Sequence, residues 1–242
     1  MNVVTAVPKV SIIIPFYNCP YVHIAVQSAL NQTYQNKEII VVDDGSTKNV
    51  AKLEPYLHQI KYIKKENGGT ASALNLGIKQ ASGDYFTWLS SDDVYHPRKV
   101  GKQLSFMIDQ KANVSYGAYY LIDSHGKKIG ERKQGISFPT REQFIQKMRT
   151  GCFINGCTVM MKTDLFQEVG LFNEQLRCTQ DYDMWLRVMQ KYEFHYLDEP
   201  LVYYRVHDLM GSKTLTDVQK KEINVLKRRY FIPIKQLLRR GV

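Results

Sequence analysis

The sequence has no apolar run near the roughly 20 residues needed to span a bilayer. Its longest apolar runs, such as 12–14 and 39–42, are each short enough for one buried strand. Cysteine is scarce: Cys19, Cys152, Cys157 and Cys178 show neither CxxC nor zinc-type Cys/His spacing. That excludes a disulfide scaffold and a structural zinc module. Residues 1–8 lack a charged segment followed by an apolar stretch, so no secretory signal is expected. The expectation is a cytoplasmic protein with reduced thiols, soluble or peripheral on the inner face of the cell membrane. Two phosphate-binding signatures are also missing: there is no GxxxxGK[ST] loop, and no GxGxxG after the first apolar run. No internal repeat or low-complexity segment occurs.

What remains is a chain of 242 residues, 44% hydrophobic and 23% charged, enough for one large domain with a sizeable core. Its net charge of +10 is unevenly spread. Residues 213–242 hold nine basic and two acidic side chains, a net +7, which leaves +3 for the other 212 residues. Such a tail suits an anionic surface. Within it Ile223, Leu226 and Tyr230 fall at i, i+3 and i+7 among Lys220, Lys221, Lys227, Arg228 and Arg229. A basic helix with that stripe either lies on an anionic membrane or packs its stripe on the domain. The tail lacks an aromatic stacking pattern, so nucleic acid is not an expected partner.

The first 120 residues alternate strand and helix. Apolar runs at 10–15, 38–42, 60–64 and 85–89 read as strands, and 20–31, 48–58 and the segment after Gly68-Gly69 as helices. That alternation predicts βαβ units and a mostly parallel α/β sheet flanked by helices. The second half is less regular. It reads as a hairpin at 118–129, helices at 141–149, 163–169 and 180–191, a strand at 157–161, two short strands around Pro200, and a basic helix at 217–231 ending before Pro233.

In parallel sheets ligands bind beyond the carboxyl ends of the strands. Pro15-Phe16-Tyr17-Asn18, Asp43-Asp44 and Asp92-Asp93 fall at such ends. Two acidic pairs converging on one cleft need a cation among them, and Mg²⁺ commonly bridges carboxylates to phosphates; alternatively each pair shapes a turn or caps a helix. Asn67-Gly68-Gly69-Thr70 at a helix start offers backbone N–H groups to a phosphate, or is simply a turn. In Thr179-Gln180-Asp181-Tyr182-Asp183-Met184-Trp185, Asp181 shares the apolar helix face with Met184, Trp185 and Val188. Asp183 pairs with Arg187 at i+4 on the opposite face, where it is expected to be solvated. Asp181, aimed at a cleft from a helix start, suits a general base.

Taken in order, these segments resemble the family 2 glycosyltransferases of the GT-A fold. The resemblance covers Val10 through Asn18, Ala29-Leu30-Asn31-Gln32-Thr33, Val41 through Thr47, Asn67-Gly68-Gly69, Asn75-Leu76-Gly77-Ile78 and Leu89 through Asp93. It continues in Gly170-Leu171-Phe172-Asn173-Glu174, Gln180 through Trp185 and Tyr204-Arg205-Val206-His207. It implies a GT-A unit at 1–212, with a nucleotide half at about 8–120, an acceptor-side mixed half at about 121–212, and a basic helical extension at 213–242. It also implies inverting transfer from a nucleotide sugar, with uridine favoured, to the hydroxyl of a saccharide or lipid-linked acceptor in cell-surface polysaccharide or glycolipid synthesis.

By position, Pro15 and Tyr17 would line the base pocket and Asp44 would bond the uracil edge. Asn18, Asn67, Gly68, Gly69 and Ser91 would lie along the donor. Asp92 and Asp93 would match the acidic motif that meets ribose and a divalent metal, Mn²⁺ or Mg²⁺, with His207 near the metal. Asp181 would be the catalytic base. Many members carry Asp-x-Asp where this chain has Ser90 at the first position, which leaves the main metal ligand open between Asp92 and Asp93. Leu74 stands where Arg is frequent. A nucleotidyltransferase, or a nucleotide-sugar-binding module without transfer, is the alternative.

Overall fold

The computed structural model describes residues 7–131, 133–208, 210 and 215–239; residues 1–6, and Lys213 and Arg240 of the basic tail, lie outside them. The strands are β1 (Val10–Phe16), β2 (Lys37–Asp44), β3 (Lys61–Lys65), β4 (Tyr85–Trp88), β5 (Val94–Tyr95), β6 (Val114–Ile122), β7 (Met160–Lys162) and β8 (Phe194–Arg205). They form one sheet in the order β3-β2-β1-β4-β7-β6-β8-β5. β1 runs parallel to β2 and β4, and β2 parallel to β3. β7 is antiparallel to both β4 and β6, while β6 and β8 are parallel and β5 is antiparallel to β8. A parallel half therefore continues into a mixed half.

The helices are α1 (Val22–Leu30), α2 (Gly69–Gln80), α3 (Lys99–Asp109), α4 (Arg141–Met148), α5 (Leu165–Val169), α6 (Gln180–Val188) and α7 (Thr216–Arg239). Successive strand residues point to opposite faces. Ile12, Ile14, Ile39 and Val41 accordingly pack with α1 and α3, and Ile13, Ile40 and Val42 with α2. Both faces are covered, which is why the middle of each strand, 12–14 and 39–42, is a continuous apolar run. At Gly77 of α2 a Cβ would come 2.5 Å from Ile13 Cγ2, so helix and sheet meet almost backbone to side chain.

Buried amides fix the register of the helices. Gln32 Nε2 donates to His96 O (2.9 Å), and Gln32 Oε1 accepts from Val100 N (2.9 Å), which anchors α3 to the end of α1. Asn75 Nδ2 donates to Phe172 O (2.9 Å) and Asn75 Oδ1 accepts from Phe172 N (2.8 Å), joining two remote segments.

Four expectations change. The helix expected at 48–58 is a 3-10 turn at Val50–Tyr56 with Pro55 inside it. The hairpin at 118–129 shrinks to isolated bridges, Ile122 with Lys128 and Tyr119 with Gln134, on the edge of β6 away from β8. The two strands around Pro200 are one, β8; the ladder skips from Leu197 to Pro200 opposite Gly117 and Ala118, a bulge that accommodates the missing N–H. α7 does not stop before Pro233 but runs to Arg239, held past the proline by Ile234, which is 2% exposed. Leu226 and Tyr230 share that buried stripe and join the core around α6, so the stripe packs on the body. Lys221, Val225, Arg228, Ile232 and Lys235 are exposed on the outer side. Among the described residues no helix is long and apolar enough to cross a membrane.

Candidate active site

Beyond the carboxyl ends of β1, β2 and β4 lies a cleft of about 700 Å³. Strand order reverses there around β1, the position at which open α/β sheets hold ligands. Pro15, Tyr17, Asn18, Asp44, Ser91, Asp92, Asp181 and His207 all line it. Asn67, Gly68, Gly69 and Asp93 do not.

At one end the turns after β1 and β2 are locked together. Asn18, at φ 52°, is one of the few residue types that tolerate the left-handed region. Its Oδ1 accepts from Thr47 N (2.8 Å) and Lys48 N (2.7 Å). Tyr17 beside it is 56% exposed, its ring free to stack. Asp44 is 3% exposed and accepts from Lys65 Nζ (2.7 Å), Gly68 N (2.9 Å) and Gly69 N (2.7 Å). Asn67 Nδ2 donates to Asp44 O (2.9 Å). The N–H groups expected to cradle a phosphate are thus occupied by Asp44: the glycine turn supports that carboxylate from behind rather than facing the cleft.

The two acidic pairs do not bring four carboxylates together. In each pair only one member lines the cleft: at 43–44 because adjacent strand residues point to opposite sides, and at 92–93 because the chain turns there, Asp93 N donating to Ser90 O (3.1 Å). Asp43 accepts from Ser46 N (2.7 Å) and Tyr62 Oη (2.5 Å). Asp93 accepts from Arg205 N (2.8 Å), with Cys157 Sγ 3.1 Å away. Burial first, then the charge of Asp92, pushes the Asp93 carboxyl well above the ordinary range. Asp93, expected beside the metal, is 1% exposed, does not line the cleft and holds the strand end at Arg205 from inside. Cys157 Sγ also lies 3.1 Å from Ser90 Oγ, so the residue standing in for the missing acid is held by a thiol.

Asp92 stays at the cleft, its Oδ2 3.0 Å from His207 Nε2. Among the described residues no group of three or more His, Cys, Asp or Glu could hold a metal; these two form the available donor pair. Sequence reasoning gave no role to Arg205. Its Nε donates to Asp92 O (2.8 Å), its Nη1 to Asp123 O (3.0 Å), and its guanidinium lies 4.4 Å from the Tyr21 ring centre. It clamps the turn that presents Asp92, and the available signal was its position two residues before His207.

At the other end α6 carries Asp181 in its first turn while Met184, Trp185 and Val188 are fully buried. Asp181 is half-buried, and its Oδ1 accepts from Tyr182 N (2.7 Å). Burial raises its carboxyl to about 6; nearby N–H groups oppose the shift and the charge of Glu222 adds to it. Asp183 is not solvated as expected. It is 2% exposed and bonded to Arg187 Nε (3.0 Å) and Tyr230 Oη (2.9 Å), because α7 covers that face.

The wall between the ends includes Phe153, Ile154 and Asn155, and α7 adds Gln219 and Ile223. A Cβ at Gly156 would sit 2.5 Å from the Trp88 ring, so the wall closes directly on the indole. Trp88 Nε1 and Gln180 Oε1 border the cleft, buried and without a hydrogen-bond partner.

Fold and cleft together define an α/β protein whose sheet opens, where its strand order reverses, onto one cleft lined by Asp44, Asp92 and Asp181. The family model described as Glycosyl transferase family 2 matches residues 11–170. An uncharacterized glycosyltransferase of Rickettsia felis is 42% identical over 228 residues, which cover 90% of this chain and 37% of the relative. Hyaluronan synthase of Pasteurella multocida is 31% identical over 243 residues, covering 98% of this chain and 24% of the synthase. The chain thus spans little more than a third of the Rickettsia relative and a quarter of the synthase. Among solved structures, S. aureus TarS 1–349 in complex with UDP-GlcNAc superposes with a TM-score of 0.67 at 19% identity, over 90% of this chain and 66% of that one. That likeness is one of fold, and the fold is GT-A-like. The chain belongs to glycosyl transferase family 2.

Proposed function

We propose that the chain transfers a sugar from a UDP-sugar to the hydroxyl of a saccharide or lipid-linked acceptor, with inversion, in cell-surface polysaccharide or glycolipid synthesis. One observation carries this reading: a single cleft holds an exposed Tyr17 and a fixed Asp44 at one end and Asp181, raised to about 6, at the other. Tyr17 stacks on the base, Pro15 packs beside it, and Asp44 accepts from the uracil N–H. Asn18 and Ser91 lie along the donor, with Asn67, Gly68 and Gly69 behind Asp44.

Above pH about 6 Asp181 is ionised and accepts the proton of the acceptor hydroxyl. The acceptor oxygen bonds to the anomeric carbon as the bond from that carbon to the diphosphate oxygen breaks, and the diphosphate keeps the electron pair. Asp92 Oδ2 and His207 Nε2, 3.0 Å apart, are the atoms that would hold a divalent cation, and the imidazole nitrogen beside a carboxylate oxygen would suit Mn²⁺ better than Mg²⁺, which prefers oxygen alone. When bound, that cation supplies positive charge for the leaving diphosphate. TarS in complex with UDP-GlcNAc and the similarity to polysaccharide synthases support the donor class and pathway.

The reading takes 1–212 as the transferase unit and 213–242 as its helical extension. The outer stripe of Lys221, Arg228 and Lys235, with Val225 and Ile232, suits an anionic membrane. Co-sedimentation with phosphatidylglycerol vesicles checks it: Arg228→Gln with Lys235→Gln weakens binding roughly tenfold or more, at about 1 kcal/mol per basic residue, and unchanged binding removes the membrane. For the transfer itself, release of UDP from a panel of UDP-sugars with Mn²⁺ is the test. Turnover with one donor supports the reading. Binding of UDP without turnover by any of them, with saccharide acceptors present, favours a binding module.

A further inference from the structure

The helix that carries Asp181 is not capped from its own chain segment: Thr179, at the N-cap of α6, makes no side-chain capping bond to that helix. The anchor comes from α7. Glu222 Oε1 accepts from Arg177 N (2.8 Å), and Oε2 accepts from Cys178 N (3.1 Å), Thr179 N (3.1 Å) and Thr179 Oγ1 (2.9 Å). Three successive backbone N–H groups close on one carboxylate at the positive end of a helix, which fixes the loop. On the same helix, Gln219 and Ile223 flank Glu222 and line the cleft. A second tie, Tyr230 Oη to Asp183 Oδ1 at 2.9 Å, sets the spacing of α6 and α7 further along.

We propose that Glu222 is a positioning residue for the transfer: by binding the loop 177–179 it sets the first turn of α6, so that Asp181 faces the acceptor only when α7 is docked. Glu222 itself touches neither substrate nor the reacting atoms. The inference rests on the assignment of Asp181 as the base. The titratable groups that face Asp181 are Cys152 from the loop after α4, Cys178 from the loop before α6, and Glu222 from α7, with Arg177 next to Cys178. Among them Glu222 brings a negative charge, which adds to burial in raising Asp181. Docking of α7 thereby acts on the base twice, through its geometry and through its charge.

The test uses the full chain with Glu222→Gln and Glu222→Asp. It reads the ¹³C-carboxyl titration of Asp181, UDP release from the donor found active, and thermal unfolding. Glu222→Gln removes the charge and turns one acceptor into a donor. Its expected result is an Asp181 midpoint below about 6, moved toward the ordinary carboxylate range, with the acid limb of kcat/KM following. Its kcat falls about tenfold while the donor KM stays within about twofold. Glu222→Asp keeps the charge on a shorter arm, so the midpoint stays at the wild-type value and kcat recovers in part.

A folded Glu222→Gln chain with unchanged midpoint and kcat overturns the proposal. So does a loss of kcat matched by an equal rise in KM, the mark of a merely structural residue. If Glu222→Gln does not fold, Glu222→Asp decides: wild-type kcat overturns the proposal, and reduced kcat at an unmoved midpoint supports it. Failure of the transfer reading looks different, since the wild-type chain then releases no UDP from any donor. The Asp181 titration still reports whether Glu222 acts on that carboxyl.

Discussion

The two ends of the cleft are built by different means. At the end proposed to hold the nucleotide each determining side chain sits at or just past the carboxyl end of a parallel strand: Tyr17 and Asn18 after β1, Asp44 as the last residue of β2, Asp92 after β4. Parallel pairing of β1 with β2 and β4 brings those turns side by side. At the acid–base end Asp181 rides on a helix whose entry is held by Glu222, 43 to 45 residues further along the chain. The first end follows from local pattern and sheet topology. The second exists only once α7 has docked. Nucleotide binding and transfer should therefore separate under mutation.

The strongest attempt to break this separation is Asp181→Asn. Transfer is expected to fall by about 10³-fold, within the range seen for loss of a general base, while UDP affinity by titration calorimetry stays within about twofold. A parallel loss of UDP affinity would merge the two ends into one. The next largest effect belongs to the nucleotide end. Asp44→Ala removes the acceptor for Lys65 Nζ and for the N–H groups of Gly68 and Gly69. Urea denaturation should show a loss of about 3 kcal/mol, in line with orphaning buried donors, and UDP affinity should drop at least tenfold. Wild-type UDP affinity in that variant would remove Asp44 from the donor site.

A third expectation sharpens the acid–base end through pH. The Asp181 carboxyl is raised to about 6 from 3.8, so folding favours its protonated form. That contribution is fully present below about pH 4 and is lost as pH rises through about 6. The wild-type chain consequently carries a penalty at pH 7.5 that Asp181→Asn removes. The variant should be more stable by about 2 kcal/mol there, allowing for the open side of the cleft, and equal to wild type near pH 4. A constant difference across that range would show that the carboxyl titrates normally. The smallest effect is expected at the exposed ring. Tyr17→Ala should weaken UDP binding by about tenfold, the scale of one base stacked on an aromatic side chain, while Tyr17→Phe stays within about twofold. Equal affinity of the alanine variant would leave the base unstacked.

The same contrast decides what could be read from the sequence. β1, β2 and β4 are continuous apolar runs closed by proline, acidic or serine residues, so both the parallel half and its cleft edge were legible. The cleft-facing placement of Asp181 was legible because two helical residues, about 200° of turn, set it opposite Asp183. The pairs Asp43-Asp44 and Asp92-Asp93 were misread as four convergent carboxylates. Residue type marks a turn, but only the direction of the chain there decides which member faces the ligand. Asp183 looked solvated because nothing local reveals that α7 lies over it. α7 itself looked shorter, since the rule that proline ends a helix holds only when no core contact such as that of Ile234 outweighs it. Glu222 stood in no motif and Arg205 in one that gave it no role: each acts on a segment remote in sequence, on the N–H groups of 177–179 and on Asp92 O.

The most direct measurement is a crystal structure of the chain with UDP and Mn²⁺. The account expects uracil on the Tyr17 ring with its N–H donating to Asp44, Mn²⁺ bound by Asp92 and His207, and Asp181 free at the far end of the same cleft. A diphosphate seated on the N–H groups of Gly68 and Gly69, or Mn²⁺ bound by Asp93, would contradict it.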